Sequence, residues 1–340
     1  MTLMFSEIAE SGAAAARFLD RNAEALRALG ARLRASPPRV VVTNARGSSD
    51  HCALYLKYIL EVALGTPCAS LGPSLASLYK APLKLEGALM VSISQSGRSP
   101  DIVAMQRAAN AAGALTLALV NDETSPLMTE ASIGLPLCAG AERSVAATKS
   151  MIAGLFAGAS LVSAWTEDAA LAAGLAKVGA ALDAQTAPPP DALVERLAAA
   201  RSLYVLGRGA TLPIAAEAAL KLKETCALHA EAFSSAEVLH GPSELVSAGF
   251  PVLAFAPQDE AREGFEETLA RLAAMGADIL RVDAGGADSA SRLAVRPLDP
   301  PALAPIAMVH RFYGLAERLA VRLGRNPDRP RNLTKVTETR

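Results

Sequence analysis

The sequence predicts an α/β protein made of two tandem copies of one doubly wound unit, each a parallel sheet covered by helices on both faces. Three observations carry that expectation. Short apolar, β-branched runs alternate with longer runs of helical period, which is the spacing of β-α units rather than of hairpins. Several of the strand-like runs end in polar loops rich in Ser, Gly and Arg. The pattern also restarts in the second half, where Arg46-Gly47 recurs as Arg208-Gly209, 162 residues further on. A period this long signals duplicated domains, not a solenoid.

With 340 residues, 51% of them hydrophobic and 20% charged, the chain is long and apolar enough for two cores. Its 33 Lys and Arg against 34 Asp and Glu, without long runs of one sign, argue against a nucleic-acid or membrane partner and leave small anions open as ligands. Cys52, Cys68, Cys138 and Cys226 show no CxxC spacing, as in a reduced compartment. The amino terminus lacks the apolar core of a signal peptide, and no run reaches the ~18 apolar residues of a spanning helix. Met151 to Trp165 comes nearest and reads as a buried helix. The expected location is the cytoplasm.

In chain order, residues 6–34 read as one long Ala/Leu/Arg/Glu helix. Residues 40–42 are a strand running into the loop Asn44-Ala45-Arg46-Gly47-Ser48-Ser49. A helix over 50–64, a strand over 67–71 and a short helix over 74–79 lead to the central strand, 88–93. A helix to Ala112 and strands over 115–120 and 133–137 follow. A second polar loop, 139–149, enters the apolar helix 150–165, and two helices then reach Pro188-Pro189-Pro190, a stiff run that neither helix can continue through. The expected domains are therefore 1–187 and 188–324, with 325–340 as a tail. The 162-residue offset places further strands at 253–255 and 277–282, and 212–227 has a helical pattern.

Ser92 to Asp101 joins the central strand to a helix through a loop made largely of hydroxyls. Pro100 suits a first helical turn, and the free N–H groups there, with Ser94, Ser96, Ser99 and the permissive Gly97, would surround a phosphate. The same residues also make an ordinary polar turn. The second copy has Ala256-Pro257-Gln258-Asp259 instead, so only the first half is expected to hold phosphate. In the second half, Lys221 and Glu224 are neighbours on one helix face. Spacing alone fits a solvated ion-paired face there, and a helix end at His240-Gly241-Pro242.

Eight motifs in order resemble the sugar isomerase (SIS) family of phosphosugar-binding proteins, most closely the isomerase half of glucosamine-6-phosphate synthase. They are Arg46-Gly47-Ser48-Ser49, Ser94-Gln95-Ser96-Gly97, Val145-Ala146-Ala147-Thr148-Lys149, Leu206-Gly207-Arg208-Gly209, Ala219-Leu220-Lys221-Leu222-Lys223-Glu224, His229-Ala230-Glu231, His240-Gly241-Pro242 and Pro330-Arg331-Asn332-Leu333-Thr334-Lys335. The resemblance implies flavodoxin-like domains and a site in which Ser94, Gln95, Ser96 and Ser99 take the sugar phosphate while Ser49 and Val145 line the same pocket. It further implies Glu224 as the base moving a proton between C1 and C2, and His240 as the ring-opening group, supplied in the family by the partner subunit of a homodimer. Lys221 and Lys335 match lysines near the reacting carbons, the latter implicated in imine formation, and the resemblance implies that the tail 325–340 folds over the sugar as a lid. No metal or other cofactor is expected, because this chemistry runs on acid, base and amine.

Two departures bear on the substrate. The synthase's amino-terminal glutaminase is not expected here, because the chain enters the isomerase pattern at once. Ala147 stands where the synthase has a serine, and Arg98 stands where it has an acid, offering a positive charge to the phosphate loop. The expected function is conversion of glucosamine-6-phosphate to fructose-6-phosphate and ammonia. Alternatives are an aldose–ketose isomerase, a fructosamine-phosphate deglycase and, in another class, a sugar-phosphate-binding regulator, for which no helix-turn-helix segment is visible.

Overall fold

A computed structural model describes residues 1–335. The chain divides into two compact units. One is formed by Met1–Ala9, Arg143–Thr148 and Ala180–Leu333, the other by Glu10–Glu142, Lys149–Gly179 and the segment from Thr334.

Among the described residues ten strands form where the β-branched and aliphatic runs lie. They are β1 (Val41–Asn44), β2 (Cys68–Ser70), β3 (Leu89–Ser94), β4 (Leu115–Val120), β5 (Ile133–Pro136), β6 (Ser202–Gly207), β7 (His229–Ser234), β8 (Pro251–Phe255), β9 (Asp278–Ala284) and β10 (Arg292–Val295). The first sheet has the order β2-β1-β3-β4-β5 and the second β10-β9-β8-β6-β7. Every pairing is parallel. With β6 counted as the first strand of its sheet, the two orders are the same topology, as a duplication requires. A shift of 162 carries β3 onto 251–256, where β8 lies, and the helix Ser48–Leu64 onto 210–226, where the structure has the helix Leu212–Cys226.

Strands covered on both faces must be apolar throughout. β3 obeys this up to its last residue: Leu89 to Ile93 are buried and Ser94 is half-buried, so the strand turns polar where it leaves the sheet. The helix Lys149–Thr166 is buried nearly all round because the helices Ser11–Ala35 and Ser48–Leu64 pack against it. Gly30 permits the first of these contacts, since a Cβ there would fall 2.1 Å from the Ala164 carbonyl oxygen. Phe18 and Phe156 meet edge to face in the same seam, 5.8 Å apart. In the second sheet's unit, Phe255 of β8 meets Phe312 of the helix Ala304–Arg322 in the same way at 5.6 Å.

Two helical expectations are corrected. The first stretch is two helices, Leu3–Ala9 and Ser11–Ala35, broken at Glu10, whose carboxylate pairs with the buried Lys149 ammonium. Between 166 and the prolines there is one helix, Ala169–Asp183, started by Asp168, which accepts the Ala170 and Leu171 N–H groups at 2.8 and 2.9 Å. Among the described residues no helix is long and apolar enough to cross a membrane.

Candidate active site

In the first sheet, β1 leads to β2 on one side and β3 to β4 on the other. The crevice at their carboxyl ends is therefore a topological switch point. The two loops leaving there are tied together. Arg46 donates Nε and Nη2 to Asp101 Oδ2 at 3.0 and 2.8 Å, and Asn44 donates Nδ2 to Ser92 Oγ at 3.1 Å and to the Ile102 carbonyl at 3.0 Å. Sequence reasoning passed over Asn44 and Asp101. The available signal was a polar residue closing an otherwise apolar strand and an acid in the first turn of the next helix.

The serine loop is built as a tight turn. Ser94 Oγ accepts the Gly97 N–H at 2.9 Å, and Ser96 Oγ accepts the Arg98 N–H at 3.4 Å. Gly97 has φ +63°, and a Cβ there would lie 2.2 Å from Ser125 Oγ, so the loop admits no side chain at this position. Ser99 is the N-cap of the helix Pro100–Ala111, with Pro100 at its first position as expected, yet its side chain makes no cap bond. Gln95 is half-buried between them. Arg98 departs from expectation: its guanidinium is committed to Asp122 at 3.0 Å and Thr124 at 3.0 Å, because both lie in the loop after the neighbouring strand β4. Ser49, in the first turn of Ser48–Leu64, is half-buried and gives its N–H to the Arg46 carbonyl at 3.1 Å. Beside it, burial pushes the Asp50 carboxyl up against the opposing pull of His51 and Arg46.

The loop before the helix Lys149–Thr166 is closed at its base by Glu142, which accepts the Ser150 N–H and Oγ at 3.1 and 2.6 Å. Lys335 reaches Glu142 Oε2 at 3.4 Å. In the other unit, the Val145 N–H goes to the Asp328 carbonyl at 3.1 Å. The tail up to Lys335 is thus engaged rather than frayed; residues 336–340 of the expected lid lie outside the described residues.

The acid and amine groups of the second half line one face of the helix Leu212–Cys226. Lys221 Nζ sits between Glu217, 3.5 Å away, and Glu224, with which it makes a very short contact. Tyr313 donates its hydroxyl to Glu217 at 2.8 Å. Lys221 and Glu217 are 1% and 0% exposed, a burial that an ammonium and a carboxylate tolerate only as a hydrogen-bonded pair. Glu224 keeps 21% of its side chain open, so it is the member that a substrate can reach. Because helices run back along a parallel sheet, this cluster, near the helix C-terminus, lies toward the amino ends of the strands of its sheet and away from the crevice of the second copy. His240 closes the 3-10 turn Glu237–Leu239 and is exposed. Its turn is anchored by Tyr204, which donates to the Pro242 carbonyl at 2.8 Å and packs edge-on against Phe233 and Phe250.

The crevice of the second copy is filled. Gln258 and Arg262 occupy the positions of Ser96 and Pro100 shifted by 162, and both bind Asp283, the counterpart of Asn121. Arg262 is bidentate at 2.7 and 2.8 Å, Gln258 Nε2 donates at 3.0 Å, and Arg292 approaches to 3.4 Å. Burial works against the Asp283 charge, but bonds and charge from Arg262, with Gln258 and Arg292, hold its carboxyl below the usual range. Among the described residues no group of His, Cys, Asp and Glu is arranged to hold a metal ion.

The SIS domain family model matches residues 36–164 and 196–308, which contain the two sheets. The chain belongs to the SIS domain family. Among curated SIS relatives, the isomerizing glutamine–fructose-6-phosphate aminotransferase of Bradyrhizobium diazoefficiens is 34% identical over 313 residues, 87% of this chain and 51% of its own. The chain spans about half the length of the curated relatives that it matches. Among solved SIS structures, a candidate phosphosugar isomerase of Silicibacter pomeroyi DSS-3 has a TM-score of 0.90 and 43% identity, covering 96% of this chain and all of that one. The C-terminal domain of the glucosamine-fructose-6-phosphate aminotransferase of Francisella tularensis has a TM-score of 0.80 and 25% identity, covering 97% and 98%.

Proposed function

We propose that this SIS protein is an amino-sugar phosphate deaminase/isomerase, converting glucosamine-6-phosphate and water to fructose-6-phosphate and ammonia. The observation that carries the reading is the array of Glu217, Lys221 and Glu224 on one helix face, an ammonium held between two carboxylates with only Glu224 open to a ligand. Proton transfer alpha to a carbonyl needs a reachable carboxylate and a nearby cation for the developing enolate charge. The relatives named for phosphosugar isomerisation and for fructose-6-phosphate amination support the substrate class.

In this reading Ser94, Gln95, Ser96 and Ser99 bind the phosphate, with Ser49 and Val145 beside them, and His240 assists ring opening. The exposure of His240 on a single chain supports a homodimer in which it serves the partner's sugar. Glu224 takes the C2 proton of the open-chain aldose and returns it to C1, leaving an imine at C2. Lys335 exchanges with that imine nitrogen, releasing ammonia, and water then frees the ketose and the lysine. That none of the four cysteines is in a disulfide among the described residues supports a cytoplasmic location.

Incubation with glucosamine-6-phosphate should give fructose-6-phosphate and ammonia in equal amounts. Ketose from a non-amino aldose phosphate, without ammonia from glucosamine-6-phosphate, would reassign the protein as an aldose–ketose isomerase. Absence of both products at high enzyme concentration would refute the reading.

A further inference from the structure

The amino-terminal helix Leu3–Ala9 has seven residues, far below the length at which an isolated helix is stable, so its place is set by what holds it. Asp328 accepts the Leu3 and Met4 N–H groups at 2.8 and 2.7 Å, satisfying two of the donors that a helix start leaves open. Thr2 Oγ1 adds a bond to Glu317 at 2.7 Å. From the far end of this helix Glu7, 5% exposed, turns its carboxylate onto the main chain of another segment and accepts the N–H groups of both Arg143 and Ser144. The next N–H, that of Val145, goes to the carbonyl of the same Asp328 at 3.1 Å. Three consecutive amides are therefore held by the Glu7 carboxylate and the Asp328 main-chain carbonyl, while the Asp328 carboxylate seats the helix that carries Glu7. Burying a carboxylate is costly unless it is well bonded, and most of the bonds that Glu7 gains lie on this one segment.

We propose that Glu7 and Asp328 are positioning residues that clamp the backbone of 143–145. The clamp fixes the main chain that carries Val145 and gives the tail bearing Lys335 a fixed point of departure. The catalytic part rests on the functional reading above; the clamp itself does not.

Glu7→Ala and Asp328→Asn test it, with Glu7→Gln as the milder variant should Glu7→Ala fail to fold. Asp191→Asn, which loses only an exposed pair with Arg318, is the control. Amide hydrogen exchange over 143–145 should quicken about tenfold or more in both variants and stay at the parent rate in the control. For glucosamine-6-phosphate, KM should rise about tenfold in both at a temperature where circular dichroism shows them folded, with a smaller change in kcat, since Asp328→Asn acts by loosening the helix that carries Glu7 and leaves the main-chain bond to Val145 in place. The double variant should be less than additive, because both residues act on one segment. Unchanged exchange overturns the clamp, and faster exchange with KM and kcat within about twofold of the parent overturns its role in the site. A parent that turns over no phosphosugar defeats the functional reading alone, and the exchange arm still decides the clamp.

Discussion

Acidification should destabilise this protein through one buried histidine. His310 is 4% exposed. Its Nδ1 faces Gln185 Nε2 at 3.2 Å, and the Ile8 main chain beside the ring favours the proton. A proton on Nδ1 would oppose the Gln185 amide donor, and that amide cannot turn over, because its Oε1 accepts the Arg296 N–H at 2.9 Å while Nε2 also donates to the Ala307 carbonyl at 2.9 Å. Burial, with the Arg311 charge beside it, lowers the His310 pKa to about 4, against the bond to Ile8 that favours the proton. The unfolded chain takes this proton near pH 6.5 and the folded one near 4, so the unfolded state binds more protons in between. Stability is complete above 6.5 and is lost as pH falls through that window. At 1.36 kcal/mol per pH unit the loss by pH 4.5 is about 2.5 kcal/mol from this group alone. Urea unfolding at pH 7.5, 6.0 and 4.5 of the parent and of His310→Gln isolates it. The parent's loss between 7.5 and 4.5 should exceed the variant's by about 2.5 kcal/mol, and parallel losses would refute the argument.

Three further outcomes concern the site. Ser96→Ala should mainly raise KM, whereas Glu224→Ala should lower kcat by about 10²-fold or more; small and equal effects in steady-state kinetics would mean that the site is misplaced. Gly97→Ala forces a side chain into a left-handed turn already filled by Ser125 and Val120, and should cost about 2 kcal/mol or more in chemical denaturation as well as weakening phosphosugar binding. Truncation after Asp328 keeps the clamp but removes Lys335, so turnover should vanish while the melting temperature holds; full activity would refute the role given to Lys335.

Most strands, and the duplication that relates the two sheets, were readable because they depend on local period and on a repeated spacing. β4 falls on the expected residues, and the helix Leu212–Cys226 differs from its expectation by one residue. The hydroxyl loop and its Ser99-Pro100 helix start were equally legible, since turn chemistry is local. What escaped depends on partners distant in sequence. Nothing near Arg98 announces that Asp122 will take its charge, and nothing near Lys221 announces Tyr313 or the depth at which the lysine lies. The break at Glu10 is likewise not announced locally, and the residue's charged partner there, Lys149, lies 139 residues away.

The second copy's crevice can be viewed as a receptor that carries its own ligand. Asp283 sits among Arg262, Gln258 and Arg292 as an anion attached to the chain, and an attached partner acts at an effective concentration that a dissolved phosphate cannot match. In this way a duplicated fold keeps arginines in its second crevice with their charge met from within the chain. It also means that Asp283→Ala would remove the carboxylate that Arg262, Arg292 and, at 3.7 Å, Arg281 share, leaving Arg292 to face solvent while Glu266 still pairs with Arg262 and Arg281.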